Sequence, residues 1–406
     1  MDHNRGFFIS FACVLLGFGI LMVHSASITS WPTQFERIYL SRHVIFLLVG
    51  ITTAAVCSIL PARFWVAGAP YLFAVSVALL LLVLVPGIGT RVNGAQRWLR
   101  YGPLSLQPSE LAKIALPLFV CRQICRRRAR LRHWFMGTLP MLLPVLLVVV
   151  LVMLQPDLGT AVFLAAGCGM ALLVGGWPIR NFIICTGCLV PTLGWLIAVK
   201  PYQAKRVTGF LAAWTDWNQT PYQLKQSLVS LGAGGLFGVG LGKGWQKLSF
   251  LPEANTDFVF AVVGEELGLV GTLSLVAIWG GLYVFGLLLL RPLDRQSFAW
   301  IAGFTLLTQL VLQAMLNMAV ATALVPPKGI PHPLLSYGGS NLVVSVVSLG
   351  IILSLARTRA DKAPPSAPKA PPLPKGGSGQ PSSGIEEQFT GLRHRKDFGL
   401  WTYFRL

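Results

Sequence analysis

Four of the chain's 14 aspartates and glutamates fall in one short stretch, Phe250–Gly268, which reads FLPEANTDFVFAVVGEELG. Glu253 and Asp257 come just before a long apolar run, and Glu265 and Glu266 lie about two turns inside it. A carboxylate at the rim of such a run meets water on one side and a lipid headgroup on the other. That placement suits Asp257 to act as a general base. The deeper glutamates suit a structural role, at least one facing neighbouring helices and pairing with a cation.

Two further stretches place acids at helix starts. In LQPSELAK, Pro108 suits the first position of a helix, which puts Glu110 in the first turn, where the dipole favours a carboxylate. Lys113 follows at i+3 on the same face. Such a pair neutralises itself, but near a bilayer, ionisable groups facing a cavity mark functional positions. LQPDLGT repeats the pattern, with Pro156 punctuating and Asp157 opening the next apolar run.

Basic residues complete the set. Arg91, Arg97, Arg100, Lys205, Arg206, Lys225 and Lys328 fall in segments on the same side as these acids. Arginine's planar donor fork is the usual match for phosphate, so an anionic ligand is expected there. The glycine-dense run SLGAGGLFGVGLGKGWQKLSF carries Lys243 and Lys247, but Phe237 and Gly244 stand where a nucleotide-binding P-loop needs glycine and serine or threonine. What remains is a mobile backbone rich in N–H donors, with lysines able to meet phosphate. SYGGSN (Ser336, Tyr337, Gly338, Gly339, Ser340, Asn341) is the last of five motifs that converge on one face. The seven cysteines lie in or beside apolar segments and the six histidines form no ligand cluster, so neither a metal centre nor a disulfide framework is expected.

The elements that must carry these residues are apolar helices. Hydrophobic residues make up 54% of the 406 and charged residues only 12%, about half the usual charged share of a soluble protein. Apolar runs long enough to cross a bilayer recur about ten times. They are roughly Phe7–His24, His43–Leu60, Trp65–Val85, Pro108–Cys121, Thr138–Leu154, Leu158–Gly175, Pro178–Val199, Phe258–Leu290, Phe298–Leu324 and Gly338–Ala356. The expected fold is therefore all-α: a polytopic membrane domain over 1–356, with one large external loop at about 200–257. CRQICRRRARLRHW holds six arginines and no acid, and by the positive-inside rule it faces the cytoplasm, as do both termini. The acid-bearing motifs then share the external face. Residues 357–406 are rich in Pro, Gly and Ser and read as a disordered cytoplasmic tail. The net charge of +19 follows from these loops and the tail without invoking nucleic acid.

Taken together, VNGAQRW, QPSELAK, QPDLGTA, LPEANTDFVFAVVGEELG and SYGGSN resemble, in order and spacing, the SEDS family of bacterial peptidoglycan glycosyltransferases. The likeness covers roughly Phe7 to Ala356, and LGKGWQKLSFLPEANTDF with VPPKG looks more like the division members than the rod-elongation members. The resemblance implies a polymerase that joins the glycan of one lipid II to another and releases polyprenyl pyrophosphate. It implies Asp257 as the essential carboxylate, with Glu110, Lys113 and Asp157 lining the same cavity. Arginine, lysine or a divalent cation (Mg or Mn) would meet the leaving group, with no organic cofactor. It implies a class B penicillin-binding protein as transpeptidase partner, other division proteins around it, and a place in the bacterial inner membrane at the septum. His332 and Asn341 depart from the family's usual residues, which leaves substrate contacts there open. Two other functions would use the same groove: a lipid II flippase, and a division scaffold without chemistry of its own.

Overall fold

A computed structural model describes residues 2–27, 34–92, 94–102, 104–199, 201–245 and 251–358. The tail expected beyond 357 lies almost wholly outside the described residues, and so does Lys247. One compact unit covers Met1–Lys362.

Twelve α-helices make up the described residues: α1 (Asp2–Ser27), α2 (Gln34–Ile59), α3 (Ala62–Leu82), α4 (Pro108–Arg127), α5 (Leu139–Leu154), α6 (Leu158–Val174), α7 (Ile179–Val199), α8 (Pro201–Thr215), α9 (Tyr222–Gly234), α10 (Val259–Leu290), α11 (Phe298–Ala321) and α12 (Gly339–Arg357). Seven helical segments are long and apolar enough to span a bilayer, and α6 and α7 add shorter apolar ones. α4 carries Glu110, Lys113 and its terminal arginines, so composition alone hides it. Its 20 residues are still about 30 Å long, the thickness of a hydrocarbon core. The chain is a multi-pass membrane protein, with a dozen helices among the described residues where the apolar runs alone suggest ten. The extra two, α8 and α9, form within the segment read as a long loop.

Packing follows residue size and polarity. α2 lies along α12, α1 along α10, α3 along α4, and α11 sits among α4, α6, α10 and α12. Accordingly α11 and α12 are buried on most sides, while α2 and α3 present Leu48, Ile59, Tyr71 and Val75 outward, as lipid-facing helices should. Between α3 and α4 the chain also makes a small antiparallel sheet, β1 (Gly89–Val92), β2 (Ala95–Tyr101) and β3 (Leu104–Leu106), in the order β1-β2-β3. Gln96 Nε2 donates to Val83 O and Val85 O and so ties this sheet to the end of α3.

α10 is broken at Gly268, whose φ of 66° lies in the left-handed region. In an unbroken helix Leu269 and Val270 would donate to Glu265 O and Glu266 O. Here they donate instead to Gly235 O and Leu236 O, while Val239 and Gly240 supply N–H groups to the two vacated carbonyls. The glycine-dense segment is thus spliced into the break, and these four backbone groups are all satisfied. A Cβ on Gly268 would sit 2.4 Å from Gly238 N, so the splice needs glycine there.

Candidate functional site

Asp257 sits two residues before α10, in a turn-rich segment described from Leu251 onward. Helix does not start early enough to put Glu253 and Asp257 on one helical face. Instead Glu253 takes a left-handed conformation (φ 58°), and its carbonyl accepts the N–H groups of Thr256, Asp257 and Phe258. That tight turn aims the Asp257 carboxylate at the strap joining α11 to α12, where Oδ2 would lie 3.1 Å from a Cβ on Gly329. Among the described residues no hydrogen bond reaches this carboxylate. Burial raises its pKa to about 7, and the nearby Glu253 and Asp157 charges push the same way, while Arg206 and Arg97 oppose them.

The other charges come from three directions. Asp157 caps α6, accepting from Thr160 N (3.1 Å) and Thr160 Oγ1 (2.9 Å). Arg97 of β2 pairs with it at 3.4 Å, donates to Gln155 O at 2.9 Å and also reaches Pro156 O. Positioning Arg97 in this way is what the small sheet contributes. Lys328 lies over the start of α6, its Cδ 3.4 Å from a Cβ position on Gly159. Burial lowers its pKa, with Asp157 opposing and Arg206 reinforcing that shift. Arg206 of α8 donates to Pro327 O at 3.4 Å. An anion entering here meets Arg97, Arg206 and Lys328 near the Asp257 and Asp157 carboxylates.

Glu110 and Lys113 form a second layer beneath the strap. Lys113 Nζ donates to Glu110 Oε1 (2.7 Å) and Oε2 (2.9 Å) and to Gln313 Oε1 (3.0 Å), and lies 5.6 Å from the Phe163 ring centre. Gln313 Nε2 in turn donates to Pro331 O (2.8 Å) and Asn341 Oδ1 (2.9 Å). The pair therefore supports the strap from below. Asn341 and His332, the two departures from the family pattern, both face inward: Asn341 takes up the Gln313 amide, and the His332 ring lies 5.6 Å from Trp279.

SYGGSN is used mainly for stitching. Ser336 Oγ donates to Thr256 O, and Tyr337 N donates to Asn255 O at 2.8 Å, which holds the strap against the Asp257 turn. Gly338 and Gly339 open α12, and a Cβ on Gly339 would meet the Phe46 ring at 2.7 Å. Ser340 Oγ receives Gln107 N (3.1 Å) and donates to Ser105 O (3.0 Å). Arg91 on β1 and Lys243 in the glycine segment are exposed, and no described contact brings either to Asp257. The N–H groups expected to greet phosphate serve the protein itself: Gly242 N donates to Glu266 Oε2 (3.0 Å) and Trp245 N to Glu265 Oε1 (2.7 Å). Ser25 of α1 also donates to Glu266, so both deep glutamates anchor the splice in α10.

Three polar residues of α11 are not among those the sequence singles out. Asn317 and Gln313, with Gln309, repeat at intervals of four in an otherwise apolar span. A stripe of amides on one helix face is a legible sign of buried polar contacts. Among the described residues no three His, Cys, Asp or Glu side chains come together as a metal site.

Residues 6–361 match the family described as cell cycle protein, whose profile takes in FtsW, RodA and SpoVE. The chain is 36% identical over 354 residues to a probable peptidoglycan glycosyltransferase FtsW of Nitrosomonas europaea, covering 86% of this chain and 91% of that one. It is 38% identical over 346 residues to a protein of the same name from Coxiella burnetii, covering 84% and 93%. Among solved structures it is similar to a chain from "Structural coordination of polymerization and crosslinking by a peptidoglycan synthase complex" (TM-score 0.71, 30% identity, 87% of this chain and 97% of that one). It is also similar to the rod shape determining protein RodA of Thermus thermophilus (TM-score 0.64, 29% identity, 87% and 96%).

Proposed function

The chain belongs to the FtsW, RodA and SpoVE family of cell cycle proteins and is a peptidoglycan glycosyltransferase; we propose that it polymerises lipid II into glycan strands during septal wall synthesis, with Asp257 as general base. The observation that carries the role of Asp257 is a partly buried carboxylate whose pKa burial raises, within the field of Arg206 and Arg97, with Lys328 beside Asp157 and Arg206. With a pKa near 7 it has both the ionised fraction and the basicity to accept a proton at neutral pH.

In the step proposed, Asp257 takes the proton of the acceptor sugar's hydroxyl as that oxygen bonds to the anomeric carbon of the donor. The bond from that carbon to the pyrophosphate oxygen breaks, and polyprenyl pyrophosphate leaves with the electron pair. Its growing charge is met by Arg97, Arg206 and Lys328, preorganised by β2, α8 and the strap. A divalent cation, Mg or Mn, would arrive bound to the pyrophosphate itself. No organic cofactor is called for.

Glu110 and Lys113 act beneath the site, and Asp157 holds Arg97 in place. We assign the protein to the bacterial inner membrane at the septum, with the Asp257 face outward and the arginine-rich turn after α4 in the cytoplasm. A class B penicillin-binding protein is the expected partner, since no transpeptidase serine motif is legible in this chain. The test is polymerisation of lipid II by purified protein, alone and with that partner carrying no polymerase of its own. Wild type should give glycan ladders and Asp257→Asn none. Ladders from both would move the base elsewhere, and ladders from neither would favour a flippase or a scaffold.

A further inference from the structure

The residue that seats Asp257 lies on a different element. Asn317, one turn from the end of α11, is 1% exposed, and its side-chain nitrogen donates to two carbonyls at once: Asp257 O at 2.8 Å and Ile330 O at 2.9 Å. Its Oδ1 has no partner, so the amide's whole hydrogen-bonding use is this double donation. The two carbonyls belong to segments far apart in sequence, the turn before α10 and the strap before α12. Gly329, against which the Asp257 carboxylate rests, is the neighbour of Ile330. This side chain therefore joins the Asp257 turn to the strap at the point where the carboxylate meets Gly329.

We propose that Asn317 is a positioning residue for the glycosyl transfer, an amide clamp that fixes the Asp257 carboxylate in its water-poor seat against Gly329. The inference rests on Asp257 being the base. Ser336 and Tyr337 stitch the two segments from the side and Gln313 holds Pro331 from below, but among the described residues only the Asn317 amide joins the Asp257 carbonyl to the strap. Without it the turn and the strap loosen at Asp257 and Ile330, and the carboxylate gains water. The titratable and charged groups that act on Asp257 are untouched by the substitution: Glu253 on its own turn, Asp157 at α6, Arg97 on β2 and Arg206 on α8, with Lys328 on the strap beside Asp157 and Arg206. A change in the pH dependence would then report the seat and not a lost neighbour.

The experiment compares wild type, Asn317→Leu, Asn317→Gln, Gly329→Ala and Asp257→Asn in lipid II polymerisation from pH 5.5 to 8.5, each with its transpeptidase partner. For Asn317→Leu, kcat should fall about tenfold or more, KM should stay within about twofold, and the acid limb of the rate profile should move down by about half a unit or more. Asn317→Gln keeps the amide and should recover part of both the rate and the limb. Gly329→Ala crowds the carboxylate directly and should move the same limb; it carries the test if Asn317→Leu does not yield folded protein. A normal rate and limb in Asn317→Leu would overturn the proposal, as would a rate loss with a raised KM and an unmoved limb. Polymerisation by Asp257→Asn would instead bring down the assignment of the base, a distinguishable failure.

Discussion

Replacing Asp257 by asparagine should abolish polymerisation and at the same time make the protein more stable, and the gain can be worked from the structure. The carboxylate rises from an ordinary 3.8 to about 7 on folding, chiefly through burial. A folded-state pKa above the unfolded value means that the folded protein holds its proton more tightly between those limits. Stability is then lost as pH rises through that window, and the full penalty is present above about pH 7. At about 1.4 kcal/mol per unit, the carboxylate costs up to about 4 kcal/mol at pH 8, about 3 at pH 6 and under about 2 at pH 5. Residual water at the site reduces these figures, so roughly 2–4 kcal/mol at pH 8 is the expectation. Asparagine has nearly the same shape, and no described hydrogen bond to the carboxylate is lost. The attraction of Arg97 and Arg206 for the ion is already included in the net shift. The assay is the thermal midpoint of purified protein in detergent across pH 5 to 8.5. Asp257→Asn should melt about 3–5 °C above wild type at pH 8, with that lead shrinking by more than half at pH 5. A variant no more stable than wild type at pH 8, or equally advantaged at both ends, would refute the desolvated seat on which the chemistry is argued.

Three further outcomes follow from neighbouring contacts. The wild-type polymerisation rate should rise about tenfold between pH 6 and pH 8 as Asp257 ionises, and a flat profile over that interval would exclude it as the base. Lys113→Met leaves Glu110 buried and uncompensated and should cost about 3–5 kcal/mol; a thermal melt of the double variant with Glu110→Gln should show much of that restored. Gly268→Ala forces a side chain into a left-handed conformation and against the Gly238 backbone, so it should destabilise by about 2 kcal/mol or more and speed amide exchange in residues 235–242.

What could be read along the chain was what depends on local sequence. Membrane-crossing helices follow from runs of apolar residues, because a helix in lipid must satisfy its own backbone and face hydrocarbon wherever it runs. The helix-start acids Glu110 and Asp157 could be read for a similar reason, since proline and a carboxylate in the first turn make a local signal. The convergence of the polar motifs on one face followed from loop parity and arginine bias. α4 was recognisable by its Pro108 start and flanking motif in spite of its charges.

Partnerships between distant residues were beyond that reach. Nothing near Arg97 in sequence says that it grips Asp157; three short strands and the end of α3 have to place it there. The glycine-dense run looked like a cradle for an external phosphate, yet its N–H groups meet Glu265, Glu266 and the open carbonyls of α10. The break in that helix exists only because the run is there to fill it. Asn317 shows the same division. Its polar side chain in an apolar span was visible, but which two carbonyls it joins was decided by how α10, α11 and the strap pack. Hydropathy acts residue by residue and so is written in the chain, whereas a hydrogen bond needs two partners within about 3 Å, and only the fold brings them there.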